Sequence, residues 1–458
     1  MPVQDIELWR DEGAIVFNGP DEQLLSGLAA GAVGGIGGTY GVMPELYLQL
    51  YALVGRGELA RARKLQDARE GLPGGSEHRR GQSAGGVRMQ FYNARLFLPE
   101  QGFVRGGFRV ENGCFAAVFT DDRGGDRDLH GATVLPGLVD LHIHGAMGAD
   151  CSDGDLDGLR RMGTYLARCG VTSFAPTSMT LPCERLAEAF ATAAELYEHR
   201  PRGCARPMGI HMEGPFFSEK KKGAQNGAYL RPPDFAAFQS LYQASRGLLR
   251  IVDLAPELPG AAAFTEKASR LCTVSVAHTD AVYAQACAVF EAGASHLTHL
   301  YNAMPPIHHR QPGVIGAASE RERVVAELIC DGYHVHPASV RMAFKLFPGR
   351  ICLISDALRC CGMPEGAYDL GGQQVFLEGG VARLADGTIA GAASNLLRDL
   401  QNALAFGIPA EEAIRAATLT PARELGREQE IGSLEAGKLA DFLICDPDLE
   451  LQEVWMDG

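Results

Sequence analysis

The chain has 458 residues and a formal net charge of −14, from 42 Lys and Arg against 56 Asp and Glu. That length holds a barrel of about 250 residues plus accessory pieces, while the acidic balance disfavours a phosphate backbone, so no nucleic-acid partner is expected. No apolar run approaches the roughly 18 residues of a membrane span, and the first residues carry no basic-then-apolar signal, so a cytoplasmic protein without membrane contact is expected. The twelve cysteines show no CxxC and no repeated spacing, which reads as thiols in a reducing compartment.

Residues 1–70 carry a short strand pattern at Ala14–Phe17, a helical stretch, a glycine-rich strand at Ala32–Gly38 and two helical patterns through Ala68. This βαβα piece has apolar faces without a complete partner layer and cannot close a barrel alone. Its glycines at 31–38 do not match the spacing of a nucleotide-binding loop. The wording VFNGPDEQLLSGLAAGAVGGIGGTYGVMPELY at 16–47, with ARKLQ at 62–66, resembles the late part of the N-acetylneuraminate lyase and dihydrodipicolinate synthase family. The resemblance implies only the last strands of that fold, without its Schiff-base lysine, and so a non-catalytic fragment left by a gene fusion or a misread boundary with the start near Met89. GLPGGSEHRRGQSAGG follows, and residues 71–88 read as a flexible hydrophilic linker.

From Met89 the pattern changes. Met89–Leu98 and Gly107–Val118 read as short strands, Gly432–Asp457 returns to strands, and the hairpin-like Tyr368–Leu384, with paired glycines at 371–372 and 379–380, is expected to join them. A small β-sandwich domain is therefore expected from 89–132, 368–393 and 431–458. Between its parts, 133–367 and 394–430 alternate strands with helices. Candidate strands are Thr133–His142, Val171–Pro176, Met208–Glu213, Leu249–Ala255, Thr273–His278, Ser295–Leu300, Val324–Cys330 and Arg350–Ser355. Glu184–Glu198 spaces Leu186, Phe190, Ala193 and Leu196 as a helix does. Eight such units predict an α/β fold, a (β/α)8 TIM barrel whose chemistry gathers at the C-terminal ends of the strands.

Those ends carry ligand-type residues. LPGLVDLHIHG at 135–145 places His142 and His144 on one side of an extended strand, and later strands end in Glu213, His278, His299 and Asp356. Imidazoles with one or two carboxylates suit a divalent ion, zinc or iron(II), because nitrogen donors fit these metals and the carboxylate supplies charge.

HxHG after PGLVD, HMEGPFF followed by KKGAQN, AHTDA, THLYNAMPP with Arg310 just beyond, DGYHV and ISDA together resemble the N-acetylglucosamine-6-phosphate deacetylases of the amidohydrolase superfamily, from about Met89 to the end. The resemblance implies a metal site at Glu213, His278 and His299, with His142 and His144 leaving room for a second ion, so one or two divalent ions per subunit. It implies a catalytic Asp356 and substrate contacts from Asn302, Ala303, Arg310, His334, Ala224 and Ile389. It further implies a homodimer in which Arg310 reaches the phosphate in the neighbouring site, and hydrolysis of a phosphorylated amino-sugar substrate to glucosamine 6-phosphate and acetate. Lys220–Lys222 read as a solvated loop, with a run that raises the local potential beside the Glu213 loop as the alternative, and His308 and His309 as loop residues.

The sequence departs from that family at Ser355, where threonine is usual, at Ala393, where many relatives carry serine, and at an end a few residues short of the usual final strand. Other readings stay open: the galactosamine epimer as substrate, a cyclic-amide hydrolase of the dihydroorotase type, which commonly carries a modified lysine where this chain has Glu213, and an inactive fusion product.

Overall fold

The computed structural model describes residues 88–121 and 123–457, together with a parallel pair of two-residue strands, Phe17–Asn18 and Gly34–Gly35. Residues 1–87 and 88–458 form two separate units. The other expectations for the first unit, its helices and the linker from Gly71, lie outside the described residues.

In the second unit eight parallel strands follow one another in chain order: β1 Leu138–Ile143, β2 Val171–Ser178, β3 Ile210–Phe216, β4 Leu249–Leu254, β5 Thr273–Val276, β6 His296–Leu297, β7 Val325–Ile329 and β8 Ile351–Ile354. Their residues are almost all buried, as expected of parallel strands covered on both faces. The ring closes where β8 returns to β1. The Asp356 N–H donates to the His142 carbonyl at 3.0 Å, the His144 N–H to the Ala357 carbonyl at 2.9 Å, and the Ser355 hydroxyl to Asp140 at 2.6 Å. The hydroxyl kept by the serine-for-threonine departure thus fastens the seam.

The outer helices form where apolar residues recur every three or four positions. Leu156–Arg168 is capped by Asp155, whose side chain accepts from the Asp157 N–H, and buries Leu159, Met162 and Leu166. Cys183–Glu198 buries Leu186, Phe190, Ala193 and Leu196 against the barrel, as its spacing predicted.

The two ends of this unit meet in a seven-stranded sheet. Its order is Leu451–Trp455, Phe442–Cys445, Thr133–Pro136, Arg88–Leu98, Gly102–Glu111 and Cys114–Phe119, with Arg127–Asp128 pairing beside Arg88–Leu98. Phe91, Phe108, Phe115 and Phe442 fill its core, with neighbouring ring centroids 4.8 to 6.0 Å apart. The expected single strand Thr133–His142 is two, broken at Gly137. The first half pairs in this small sheet and the second opens the barrel, and a Cβ at 137 would lie 2.0 Å from Thr172 Oγ1. Likewise Gly107–Val118 divides at the Asn112–Gly113 turn, where both residues have positive φ.

The sequence pattern places residues 368–393 with the small domain, yet they pair with none of its strands. Gly366–Leu370, Gln373–Glu378, Val381–Leu384 and Ile389–Ala392 make a four-stranded antiparallel sheet of their own. Leu370, Val375, Leu377 and Ala382 pack on Met179, Ala224 and Leu358 at the barrel mouth. The sheet hangs from the loop after β8, through Leu358 N–H to the Ala392 carbonyl at 2.9 Å and Ala392 N–H to the Asp356 carbonyl at 2.8 Å. Its apolar alternation is satisfied by the loops of the mouth, which explains the separation. The twelve cysteines are all free thiols, and among the described residues no helix is long and apolar enough to cross a membrane.

Candidate metal centre and substrate cavity

The strand ends converge as the barrel rule requires. β1 brings His142 and His144, β3 brings Glu213, and the residues just past β5, β6 and β8 bring His278, His299 and Asp356. The last three have φ of 41°, 32° and 50°, a left-handed backbone that costs non-glycine residues about 1 to 3 kcal/mol and gathers at functional sites. It turns each side chain out of the strand direction and into the mouth.

Two ligand groups result. In the first, His278 Nε2 and His299 Nε2 lie 3.1 Å and 3.2 Å from Glu213 Oε1 and 3.1 Å from each other. His278 Nδ1 faces the Lys221 carbonyl at 2.9 Å, which leaves Nε2 as the ring atom turned to Glu213, able to ligate an ion in the neutral ring. In the second, His144 Nε2 and His142 Nε2 lie 3.4 Å and 3.6 Å from Asp356 Oδ1 and 3.4 Å from each other. His142 donates Nδ1–H to Glu327 at 2.9 Å, so its Nε2 is also a lone-pair atom. Lone-pair nitrogens crowded against carboxylate oxygens repel unless a cation sits among them, and the donor set fits a divalent transition ion in both groups. Glu213 joins them, with Oε2 3.4 Å from His144 Nε2 and Oε1 3.7 Å from His142 Nε2.

The electrostatics of the protein alone agree. Burial works against charge on every member. For Glu213 the bonds to His278 and His299 outweigh it and hold the carboxyl well below its usual range, and for Asp356 the His144 bond and the surrounding imidazoles lower it too. For His144 and His299 the bonds to Asp356 and Glu213 respectively outweigh burial and lift each to about 9. The centre is a sink for positive charge.

Above it lies a cavity of about 310 Å³. Its lining holds Glu213, His278, His299, His144 and Asp356, with Asn302, Ala303, His334, Ala224 and Ile389, which the resemblance named as substrate contacts. His142 is fully buried beneath. The basic Lys220 and Lys221 also line the cavity, with Lys220 paired to Asp280 at 3.1 Å. Arg310 is different: it is exposed, bonds to His309 at 2.7 Å, and does not line the cavity of its own chain.

Several residues were not singled out from sequence. Gln225 lines the cavity, donates to Glu213 and accepts the Thr180 N–H at 2.8 Å. Asp331 accepts the Nδ1 proton of His334 at 2.7 Å and the backbone N–H groups of Tyr333 and His334, which fixes the ring and leaves Nε2 free for a ligand. Glu327, His211, Asp253 and His296 form a buried polar column inside the barrel. A third grouping, His142, His211 and Glu327, is not an ion site. Both ring nitrogens of His211 face acceptors, the Leu141 carbonyl at 3.1 Å and Asp253 at 2.9 Å. The spacing of His211 two residues before Glu213, and a glutamate inside the apolar VVAELI, were the available signals.

The amidohydrolase family pattern matches residues 133–458, and the dihydrodipicolinate synthetase family pattern matches residues 3–74. An N-acetylglucosamine-6-phosphate deacetylase of Vibrio furnissii is 37% identical over 353 residues, 76% of this chain and 88% of the relative. An N-acetylgalactosamine-6-phosphate deacetylase of Escherichia coli O157:H7 is 36% identical, over 80% of this chain and 97% of the relative. A solved N-acetyl-D-glucosamine-6-phosphate deacetylase variant of Mycobacterium smegmatis, in complex with N-acetyl-D-glucosamine-6-phosphate, superposes with a TM-score of 0.77 at 33% identity, covering 81% of this chain and 99% of that one. The deacetylase of Pasteurella multocida gives 0.75 at 28%, covering 81% and 99%. With its barrel, its ligand groups and these matches over most of its length, the chain belongs to the amidohydrolase family, a family of metal-dependent hydrolases.

Proposed function

We propose that this protein hydrolyses the N-acetyl group of N-acetyl-D-glucosamine 6-phosphate, giving D-glucosamine 6-phosphate and acetate, in the cytoplasm. One observation carries the reading: Glu213, His278 and His299 meet within 3.2 Å at the floor of a cavity that Asp356 also lines. Relatives of that activity cover most of the same chain.

Glu213, His278 and His299 hold one divalent ion, and His142, His144 and Asp356 are placed to hold a second; zinc or iron(II) suits the donors. Such an ion, when bound, makes hydroxide available near neutral pH and polarises an amide carbonyl. Asp356, ionised in this setting, takes the proton of the attacking water and passes it to the leaving nitrogen, since an amine departs readily only when protonated. His334, with Nδ1–H committed to Asp331, accepts a sugar hydroxyl through Nε2 when neutral. It donates to the acetamide oxygen only when protonated. Asn302, Ala303, Ala224 and Ile389 shape the sugar pocket around these groups.

For the phosphate, Lys220 and Lys221 supply positive potential from the same chain. Arg310, exposed on its loop, supplies the planar donor fork to the site of a partner subunit in a homodimer. Residues 1–70 serve as a fusion remnant without lyase activity. Release of pyruvate from N-acetylneuraminate by the purified chain would overturn that part.

The relative that acts on the galactosamine epimer, at 36% identity and 97% coverage, favours N-acetylgalactosamine 6-phosphate as a second reading. Acetate release from the two epimeric 6-phosphates, with Asp356→Asn as control, tests both. Turnover of neither epimer, or equal rates for wild type and the variant, would refute the assignment.

A further inference from the structure

The geometry points to Glu327 as a positioning residue that holds ligands of both ion-binding groups from a single carboxylate, an inference that rests on the metal reading above. Glu327 sits in β7 between Ala326 and Leu328, which pack into the outer core, so alternation turns it to the barrel interior. It is fully buried. Its Oε2 accepts the Nδ1 proton of His142 at 2.9 Å and the backbone N–H of His299 at 3.0 Å. His142 belongs to the group with His144 and Asp356, and His299 to the group with Glu213 and His278.

Both bonds bear on ligation. The first fixes the proton of His142 on Nδ1 and frees Nε2 for an ion, and an anionic acceptor makes that nitrogen a stronger ligand. The second restrains the backbone of His299, whose φ of 32° needs support from its surroundings. The carboxylate is itself braced from below. Its Oε1 accepts from His296 Nε2 at 3.1 Å, and His296 Nδ1 donates to Glu424 at 2.7 Å. One oxygen atom therefore serves the two groups at once, and a change at Glu327 reaches both.

The test is ion affinity of the full chain, measured by competition with a chromophoric chelator using zinc, alongside the melting temperature. E327A is expected to weaken every ion held by the wild type about 10- to 100-fold, whereas H144A weakens only the ion of its own group. E327Q, whose oxygen can still accept from His142 and His299 together, is expected to recover part of the loss and to remain about 10-fold weaker than wild type through the missing charge. If E327A fails to fold, E327Q decides alone. Folded E327Q with wild-type affinity, or folded E327A that loses affinity in one group only, would overturn the positioning role. A wild-type chain that binds no zinc would refute the metal reading instead, so the two failures are distinguishable.

Discussion

Replacing His296 by glutamine tests whether the buried column inside the barrel carries charge. His296 is fully buried between Glu327, 3.1 Å from Nε2, and Glu424, 2.7 Å from Nδ1. Burial disfavours its proton, but the bonds to these two carboxylates outweigh it and raise its pKa from 6.5 to about 10. In the unfolded chain the ring titrates near 6.5, so between pH 6.5 and 10 the folded state binds the extra proton and stability falls as pH rises. The imidazolium's contribution is fully present below pH 6.5 and gone above about 10. At about 1.4 kcal/mol for each unit, the shift corresponds to about 5 kcal/mol, and removing one partner from a buried pair costs about 3 to 5 kcal/mol. Denaturant unfolding of wild type and H296Q, each ion-loaded, at pH 6, 7, 8, 9 and 10 should show a gap of that size at pH 6 that closes toward pH 10. A gap of constant size across the range would refute a protonated His296.

Asp356→Asn should lower kcat by about 10²- to 10⁴-fold, the span of general acid–base catalysis, with KM nearly unchanged, as steady-state acetate release would reveal. Arg310→Ala should raise KM for the 6-phosphate about 10-fold or more and leave turnover of the unphosphorylated acetamido sugar alone, because the proposed role of the guanidinium is to hold the phosphate. Gly391→Ala should reduce kcat and melting temperature together: with φ at 151° its Cβ would meet Leu358 Cδ2 at 2.8 Å and the Asp356 carbonyl at 3.0 Å, pushing the segment that carries Asp356.

The barrel was legible because its strands are buried β-rich runs, five of which end in ligand-type residues, and the grouping of Glu213, His278 and His299 came from the family resemblance laid over that order. Boundaries were less so. Thr133–His142 reads as one apolar run, and only the close approach of Thr172 to Gly137 divides it between two sheets. β6 is just His296–Leu297, shorter than Ser295–Leu300, because the chain leaves extended geometry at His299. The hairpins after β8 carried a clear β pattern, but which apolar surface would receive them depended on Met179, Ala224 and Leu358, far away in sequence. Glu327 left one trace, a glutamate inside an apolar run, but its joining with His296 and Glu424 could not be read for the same reason: a buried ion-pair column assembled from two strands and the helix Leu419–Glu424 has no characteristic spacing. Arg310 was picked out by its neighbours in THLYNAMPP, yet within its own subunit its guanidinium bonds to His309 and not to the cavity.

The central claim is that a divalent ion held by Glu213, His278 and His299 is needed to cleave the N-acetyl group of the sugar phosphate. Acetate release should be measured on enzyme stripped by exhaustive chelation, with metal content and circular dichroism followed in parallel, and again after adding back zinc or iron(II). The account predicts a folded, inactive apoprotein whose activity returns in proportion to bound ion. Full activity in folded protein carrying no detectable metal would contradict it.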